Sequence, residues 1–580
     1  MNDPTQTTDV SAAAPSDGNR SVSAMVIGGI IAVAVLALWA LSILRLHFGV
    51  DFTDEAAYVA MPYGIALGAK PLVGEQHVLV LASLLTAPLV RAWVGLFGNS
   101  GLVLAMRYGF EVMVAGVCAV SAWALWDTTR SPWVSLAALL PIAAVPFSIF
   151  SLSYNTMSQS LLTVGLMASV VSVRRDATVR WPWLAVAGGA MSLAVVAYFP
   201  LLLVGLIQMV VLAWYLPRGS RWKGTGVYVI AAFAAAAVVL AQALPLTVQQ
   251  VTQFITFNRV LYAGGAVGGG TSKLLGLVTS GATYILGHGW AVLVLALAVG
   301  LARLVDRRWR YLMALLPLVL WLGVPVGSGR GALLTIWFVG SLAPLALLFE
   351  ERPAATSRLL LTVWAPSVLA GLLTGYTSSN GLPNAGIGMM PAAIVSLALM
   401  IALLVPQPGE HLYAARLAAG AVLFLGLLAL LVNQQYRFVY RDASVAKLTA
   451  QVPSGPFKGL FTTPDRADEI RSLEIDLAGS LGSRGHLLSY YDFPAGYLFA
   501  HTPAAAPTVW VVENSSPAFY KYVAAYYDEK DVVEPTVILV TNPAPGDPAL
   551  PIEKRLGIVP PVAPSIQRPH YSILLRTSTR

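Results

Sequence analysis

Apolar runs long enough to cross a bilayer recur from Ser23 to about residue 433, and no other feature restricts the folds open to this chain so severely. In hydrocarbon every backbone N–H and C=O must be satisfied inside the structure, so such runs can be helices and little else. Composition agrees: 57% of the 580 residues are apolar, 11% are charged, and mean hydropathy is +0.70. The single Cys118 excludes an intramolecular disulfide framework and any CxxC metal or redox pair. The first 22 residues are polar and end a few residues after Arg20. Ser23–Leu44 then reads as an uncleaved first span, because Arg45 and His47 follow it instead of a small-residue cleavage site.

Thirteen runs centre near residues 34, 113, 141, 165, 190, 208, 235, 295, 318, 340, 367, 396 and 424. A further run, Val78–Phe97, is also long enough to span but carries Pro88 and Arg91. The positive-inside rule decides how to treat it. If it lies along the interface, the loops on one side hold fourteen basic residues, including Arg174, Arg175, Arg180 and the cluster Arg303, Arg307, Arg308 and Arg310. The opposite loops beyond the first hold only Arg259, Lys273 and Arg330. Letting Val78–Phe97 cross would invert every later loop. The expectation is therefore about 13 transmembrane helices and an amphipathic first outer loop over 45–100.

The same parity puts residues 434–580 outside the cytoplasm. This tail holds 14 Lys+Arg and 14 Asp+Glu, so the net charge of +8 belongs to the membrane part and reports orientation, not a nucleic-acid partner. Asp465–Leu481 reads as a helix. His486–Tyr490, Val509–Val512, Thr536–Val540 and Ser572–Leu575 read as strands, which together make a small α/β domain. Pro543–Pro564 reads as loop.

Chemistry concentrates in the first outer loop, where Asp51-Phe52-Thr53-Asp54-Glu55 follows the first span directly. Carboxylates beside hydrocarbon are costly and mark functional sites by default. Asp51, Asp54 or Glu55, and Tyr58 share one side of a short helix in this reading. The competing structural reading makes Thr53 an N-cap, with the acids in the first turn. A second polar group follows at Lys70, Glu75, Gln76 and His77. Such a carboxylate can take a proton from an incoming hydroxyl, and cations can hold a phosphate leaving group. Arg259 and Lys273 flank a Gly-rich segment, and Arg330 sits in Gly327–Gly331; flexible-loop and lipid-anchoring readings compete for these cations. Arg107 and Glu111, at i and i+4, read as an ion pair within a span.

A first span followed by an outer loop opening with Asp54-Glu55 resembles the GT-C superfamily of polyprenyl-phosphate-sugar-dependent glycosyltransferases. The closest layouts are those of the lipid A aminoarabinose transferases and protein O-mannosyltransferases. Val73-Gly74-Glu75-Gln76 is similar to the family's Gly-Glu stretch, and thirteen spans with a C-terminal outer domain is similar to the aminoarabinose-transferase layout. The resemblance implies a multi-pass glycosyltransferase of a bacterial inner membrane, with a cytoplasmic N-terminus and an extracytoplasmic C-terminal domain. It would pass a sugar, with inversion, from a polyprenyl-phosphate donor to an envelope glycan, lipid or protein. Asp54 would be the base, supported by Glu55 or Asp51, with Arg259, Lys273 and Arg330 as phosphate-binding candidates. Tyr58, Glu75, His77 and Asn155 would lie around the substrate. Asn155 stands where relatives often carry an acid, so no cofactor is assigned and a divalent metal is left open. A transporter or lipid flippase is the main competing reading, and a noncatalytic envelope scaffold is a third.

The topology has a direct check: a cysteine introduced near Ser515 is expected to label from outside in intact cells. Labelling there only from the cytoplasm would overturn the parity argument.

Overall fold

A computed structural model describes residues 17–173, 178–263, 270–287, 329–344, 353–404, 413–482, 485–490, 492–510, 517–529, 532–541, 555–556 and 565–576. The runs expected near 295 and 318, the Gly264–Gly269 segment and most of Pro543–Pro564 lie outside the described residues. The membrane half is built of helices α1 (Asp17–Arg45), α2 (Asp54–Ala66), α3 (Val80–Phe97), α4 (Leu102–Thr129), α5 (Tyr154–Ser172), α6 (Trp181–Ala197), α7 (Leu202–Tyr215) and α8 (Arg221–Leu240). They are followed by α9 (Val248–Ala263), α10 (Gly270–Gly287), α11 (Gly329–Gly340), α12 (Ala365–Thr377), α13 (Leu382–Leu404) and α14 (Tyr413–Arg437). Among the described residues, six helices are long and apolar enough to cross a membrane: Gly28–Arg45, Val80–Phe97, Leu102–Thr129, Arg218–Ala243, Thr356–Thr377 and Leu382–Ala402. Leu36, Phe233 and Val238 are exposed, as lipid-facing side chains of such helices should be.

The run expected near 141 is not one continuous helix. Pro132–Ser135, Leu136–Leu139 and Leu140–Ala143 are short pieces, and Pro141 and Pro146 withhold the N–H groups a longer helix would need. Beyond them Phe147 and Ser148 take φ of 55° and 58°.

Helix α3 is of spanning length, yet both its ends touch the tail. Before it, Gln76 donates its backbone N–H to Pro507 (2.7 Å). Beyond it, Asn99 Nδ2 donates to Leu498 O (2.9 Å) and the Gly101 N–H to Gly455 O (2.9 Å). Both ends of this helix thus contact the same domain. Its exposed Leu89, Leu96 and Phe97 form the apolar side of an amphipathic element.

The tail begins with a two-residue antiparallel pair, β1 (Ala450–Gln451) and β2 (Phe461–Thr462), before helix α15 (Pro464–Leu481). A four-stranded sheet follows, from β3 (Leu487–Tyr490), β4 (Val537–Thr541), β5 (Ile566–Gln567) and β6 (Tyr571–Leu575), in the order β3-β4-β6-β5. β3 pairs parallel with β4, while β4–β6 and β5–β6 are antiparallel. Helix α16 (Pro517–Tyr526) packs Phe519 against Phe257 of α9, ring centroids 5.5 Å apart. The strand expected over Val509–Val512 does not form at Val509–Trp510, and its second half lies outside the described residues.

One apolar cluster runs through both halves. Phe52, in the loop after α1, packs on Phe493 and Phe457 of the tail at 5.1 and 5.9 Å. Within the membrane half, helices approach closely through small residues. A Cβ at Gly188 of α6 would stand 2.1 Å from the Tyr228 carbonyl oxygen of α8, whereas one at Gly116 of α4 would meet nothing within 4 Å. Gly188→Ala is therefore expected to destabilise the protein by about 1–3 kcal/mol through overpacking, and Gly116→Ala to be neutral. Thermal unfolding of both variants in one detergent checks the contrast.

Candidate active site

The loop from α1 to α2 is held by Arg107, which reaches back from the start of α4. Its Nε and Nη2 donate to the two Glu55 oxygens at 2.7 and 2.5 Å. Nη1 donates to Leu46 O (2.6 Å) and Phe48 O (3.2 Å), and Nη2 also to Gly49 O (2.8 Å). All five guanidinium donors are thereby used, as a buried arginine requires. Arg45 adds Nε to Gln435 O (2.6 Å) and Nη1 to Phe48 O (2.5 Å). The Arg107–Glu111 pair expected from spacing does not form; Glu111 instead accepts from the Trp39 indole. A helix surface allows that i, i+4 contact, but the three loop carbonyls and Glu55 offer Arg107 a fuller set of acceptors.

The three acids of the cluster divide sharply. Asp51 Oδ1 accepts the backbone N–H and hydroxyl of Thr53 (2.9 and 2.7 Å), and Oδ2 accepts the Glu55 N–H (2.7 Å). Asp51, not Thr53, therefore ties off the start of α2, where Thr53 makes no side-chain cap bond. Burial, with the Asp54 charge adding to it, pushes the Asp51 carboxyl up to about 7 against those hydrogen bonds. Both its oxygens are engaged in holding the start of α2. Glu55 is likewise engaged by Arg107 and buried.

Asp54 alone keeps a free oxygen. Oδ2 accepts the Tyr440 hydroxyl and lies 3.5 Å from Arg441 Nη2, while no described residue donates to Oδ1. Its side chain is 14% exposed, against 4% for Glu55. Arg441 also donates to Thr53 Oγ1 and, from Nη1, to Asp492 Oδ2 (3.3 Å). The Asp54 charge raises the Arg441 guanidinium against the lowering effect of its own burial, and burial raises the Tyr440 hydroxyl. Asp492 Oδ1 accepts from Trp510 Nε1 at 2.8 Å.

Trp510 forms an aromatic wall with residues from the membrane half. It stacks on His77 (5.7 Å, 21°) and meets Tyr58 edge-on (5.7 Å, 79°); Tyr58 in turn meets Tyr154 at 5.6 Å. Tyr154 stacks on Tyr198, whose hydroxyl lies 2.6 Å from Thr377 Oγ1. His77 Nδ1 accepts the Leu79 N–H (3.1 Å), so its proton sits on Nε2, and burial lowers its pKa to about 4, keeping the ring neutral. Glu75 accepts the His77 N–H on Oε1 (3.0 Å) and the Val509 N–H on Oε2 (2.8 Å), with burial raising it to about 7. The bond from Val509 explains why that residue does not join a sheet: its N–H serves the Glu75 carboxylate.

These contacts also test the donor set for a metal. Both Glu75 oxygens hold backbone N–H groups, and His77 Nδ1 is occupied. Asn155 is buried at the start of α5 with no hydrogen bond to its Oδ1. Among the described residues no three His, Cys, Asp or Glu converge. The Glu75 and His77 atoms are thus already engaged by backbone groups, and these contacts assign no metal.

The expected phosphate-binding cations are less closely engaged. Arg259 is exposed on α9, one turn before Tyr262, whose ring lies 6.2 Å from His77, and it makes no hydrogen bond or ion pair with a described residue. Its neighbour Asn258 ties α9 to the loop, accepting from the Val78 N–H (2.8 Å) and donating to Gln76 O (2.7 Å). Lys273 is half-buried on α10, and Arg330 lies in the first turn of α11, its side chain outside the described residues. The sequence reading missed Tyr440, Arg441, Asp492 and Trp510. Two of these carried a signal: Arg441 is a cation just beyond the last apolar run, and Asp492 lies in the aromatic-rich stretch Tyr490–Tyr497, which reads as a sugar-facing surface or, more simply, as packing.

No protein-family model and no curated protein matches the chain. Among solved structures it is similar to the oligosaccharyltransferase of Archaeoglobus fulgidus, crystallised with zinc and sulfate. That match has 12% identity and a TM-score of 0.45, and covers 88% of this chain and 68% of that one. It is also similar to ArnT from Cupriavidus metallidurans. With undecaprenyl phosphate bound, that protein matches at 12% identity and a TM-score of 0.41, over 96% of this chain and 98% of its own. In the apo state the figures are 12% and 0.45, over 94% and 97%.

Proposed function

We propose that this chain is an integral-membrane glycosyltransferase that moves a sugar from a polyprenyl-phosphate carrier to a hydroxyl of an envelope acceptor, with Asp54 as the general base. One observation carries the reading: of three clustered acids, only Asp54 presents a carboxylate oxygen that no described residue occupies. The reading also draws on the resemblance in the first outer loop. As the acceptor oxygen attacks the anomeric carbon, Oδ1 takes its proton, the bond from that carbon to the phosphate oxygen breaks, and the electron pair leaves with the polyprenyl phosphate. Attack opposite the leaving phosphate inverts the anomeric centre.

The surrounding groups have roles in the same step. The faces of Trp510, Tyr58 and Tyr154 can pack against the apolar face of a sugar ring. His77 Nε2–H is a fixed donor for a hydroxyl, because its tautomer is set by Leu79. Arg259, without a described partner and beside the His77 side of the wall, is the cation offered to the donor phosphate. Lys273 and Arg330 are further candidates for that phosphate. The polyprenyl chain of the carrier would lie among the exposed apolar faces of the membrane half. The acceptor would approach from the side of the tail, whose Asp492 and Trp510 border Asp54.

Two substitutions separate chemistry from positioning. Asp54→Asn keeps the shape but removes the base, so turnover of a polyprenyl-phosphate sugar in proteoliposomes should fall by about 100-fold or more. Near-normal turnover in that variant would remove Asp54 as the base. Glu55→Gln instead leaves Arg107 buried without its counter-charge and is expected to lower folding stability by about 3–5 kcal/mol. Thermal unfolding of the two variants should rank Glu55→Gln well below Asp54→Asn.

A further inference from the structure

We propose that Arg441 is a donor-displaced latch: in the resting site its guanidinium holds Asp54, and the phosphate of an arriving polyprenyl-phosphate sugar takes it over. This rests on the glycosyl-transfer reading of Asp54 and adds to it a device by which donor binding prepares the base.

Three features point to a residue built to exchange partners. Its acceptors are several: Thr53 Oγ1, Asp492 Oδ2 at 3.3 Å and Asp54 Oδ2 at 3.5 Å. The side chain is 43% exposed, so its ion pairs stand partly in water, where such contacts are weak. A phosphate can engage the same guanidinium through two parallel hydrogen bonds, which is the stronger arrangement. Arg107 shows the opposite design, with every donor used and the side chain buried.

The backbone is consistent with that assignment. Arg441 has φ of 52° and Asp492, which it contacts, φ of 53°, both in the left-handed region that non-glycine residues rarely adopt. Such conformations persist where the surroundings over-determine them. Here Arg466 Nη1 donates to the Arg441 carbonyl (2.6 Å) and to Val50 O (3.0 Å), fixing the main chain beside the α1–α2 loop. The backbone is thus anchored while the long side chain stays at the solvent boundary. Residue 441 is held where its guanidinium reaches Asp54 and can swing away.

Inversion keeps the two anions apart. The base and the leaving phosphate stand on opposite faces of the anomeric carbon, so one guanidinium cannot hold both. While Arg441 sits on Asp54 its charge is committed to the base side of the site. Transfer of Arg441 to the phosphate removes that opposing charge from the base and places it where negative charge develops on the leaving group.

The test measures binding of a fluorescent short-chain polyprenyl phosphate to the full-length protein in nanodiscs, with inorganic phosphate as competitor. Arg441→Gln is expected to weaken binding at least tenfold. Asp54→Asn, which frees the latch, is expected to tighten binding several-fold, and that gain should vanish in the Arg441→Gln background. Unchanged binding in Arg441→Gln would overturn the latch, as would an equal effect of Asp54→Asn in both backgrounds. Displacement by millimolar inorganic phosphate alone would show a general anion site and also overturn a donor-specific latch. Should Arg441→Gln fail to give monodisperse protein, Arg441→Lys reads the same competition, because it keeps the charge but loses the two-pronged contact. Absence of polyprenyl-phosphate binding in the unmodified protein would instead sink the glycosyl-transfer reading itself.

Discussion

The buried Arg107–Glu55 pair is the constraint on which the site depends. Arg107 collects three carbonyls from the turn after α1 and both oxygens of Glu55 at the head of α2. Without it the loop would have to satisfy those carbonyls in a region that water scarcely reaches. The pair's own contribution to stability is small, since desolvation of two charges offsets most of their attraction. Its effect is specificity: one guanidinium with a fixed fork geometry admits one arrangement of the loop. Asp54 is the residue before Glu55, so fixing Glu55 fixes where the Asp54 carboxylate points.

Given that frame, the division among the three acids follows from hydrogen-bond satisfaction. A carboxylate whose lone pairs are filled by N–H groups, as in Asp51 and Glu75, braces its loop and has little left for a substrate. One held by a guanidinium through both oxygens, as in Glu55, is an anchor. Asp54 receives its partners on one oxygen only and stands at the boundary with solvent. Spacing along a helix could not separate these cases, because all three lie within five residues and each could face the same side.

Much of the architecture was legible because it rests on local patterns. Apolar run lengths give the helices, and basic-residue asymmetry gave α3 an interfacial placement, which agrees with its two ends on the tail. The tail helix over Pro464–Leu481 and the strands at Leu487–Tyr490, Val537–Thr541 and Tyr571–Leu575 also follow from periodicity. Of the candidate site, the acids and Tyr58, Glu75 and His77 were legible in the first outer loop. Arg107 was paired with Glu111 because sequence offers the i, i+4 neighbour and hides the loop carbonyls 58 to 61 positions away. Tyr440, Arg441, Asp492 and Trp510 reach Asp54 or its neighbours across some 390 positions or through one another, a proximity no window on the sequence contains.

That long-range proximity explains why the tail is welded to the membrane half and does not hang from a flexible linker. Phe52 packs into the tail's apolar cluster from the very loop that carries Asp51 and Asp54. Arg466 of α15 stands over the Phe52 ring at 5.0 Å while bonding the carbonyls of Val50 and Arg441. A base supplied by one half and its cation, acid and indole neighbours supplied by the other can keep ångström-scale positions only if the two halves share a core. The shared cluster is therefore as much a part of the site as the charges, because it sets the distance between Asp54 and Arg441 on which any exchange of partners depends.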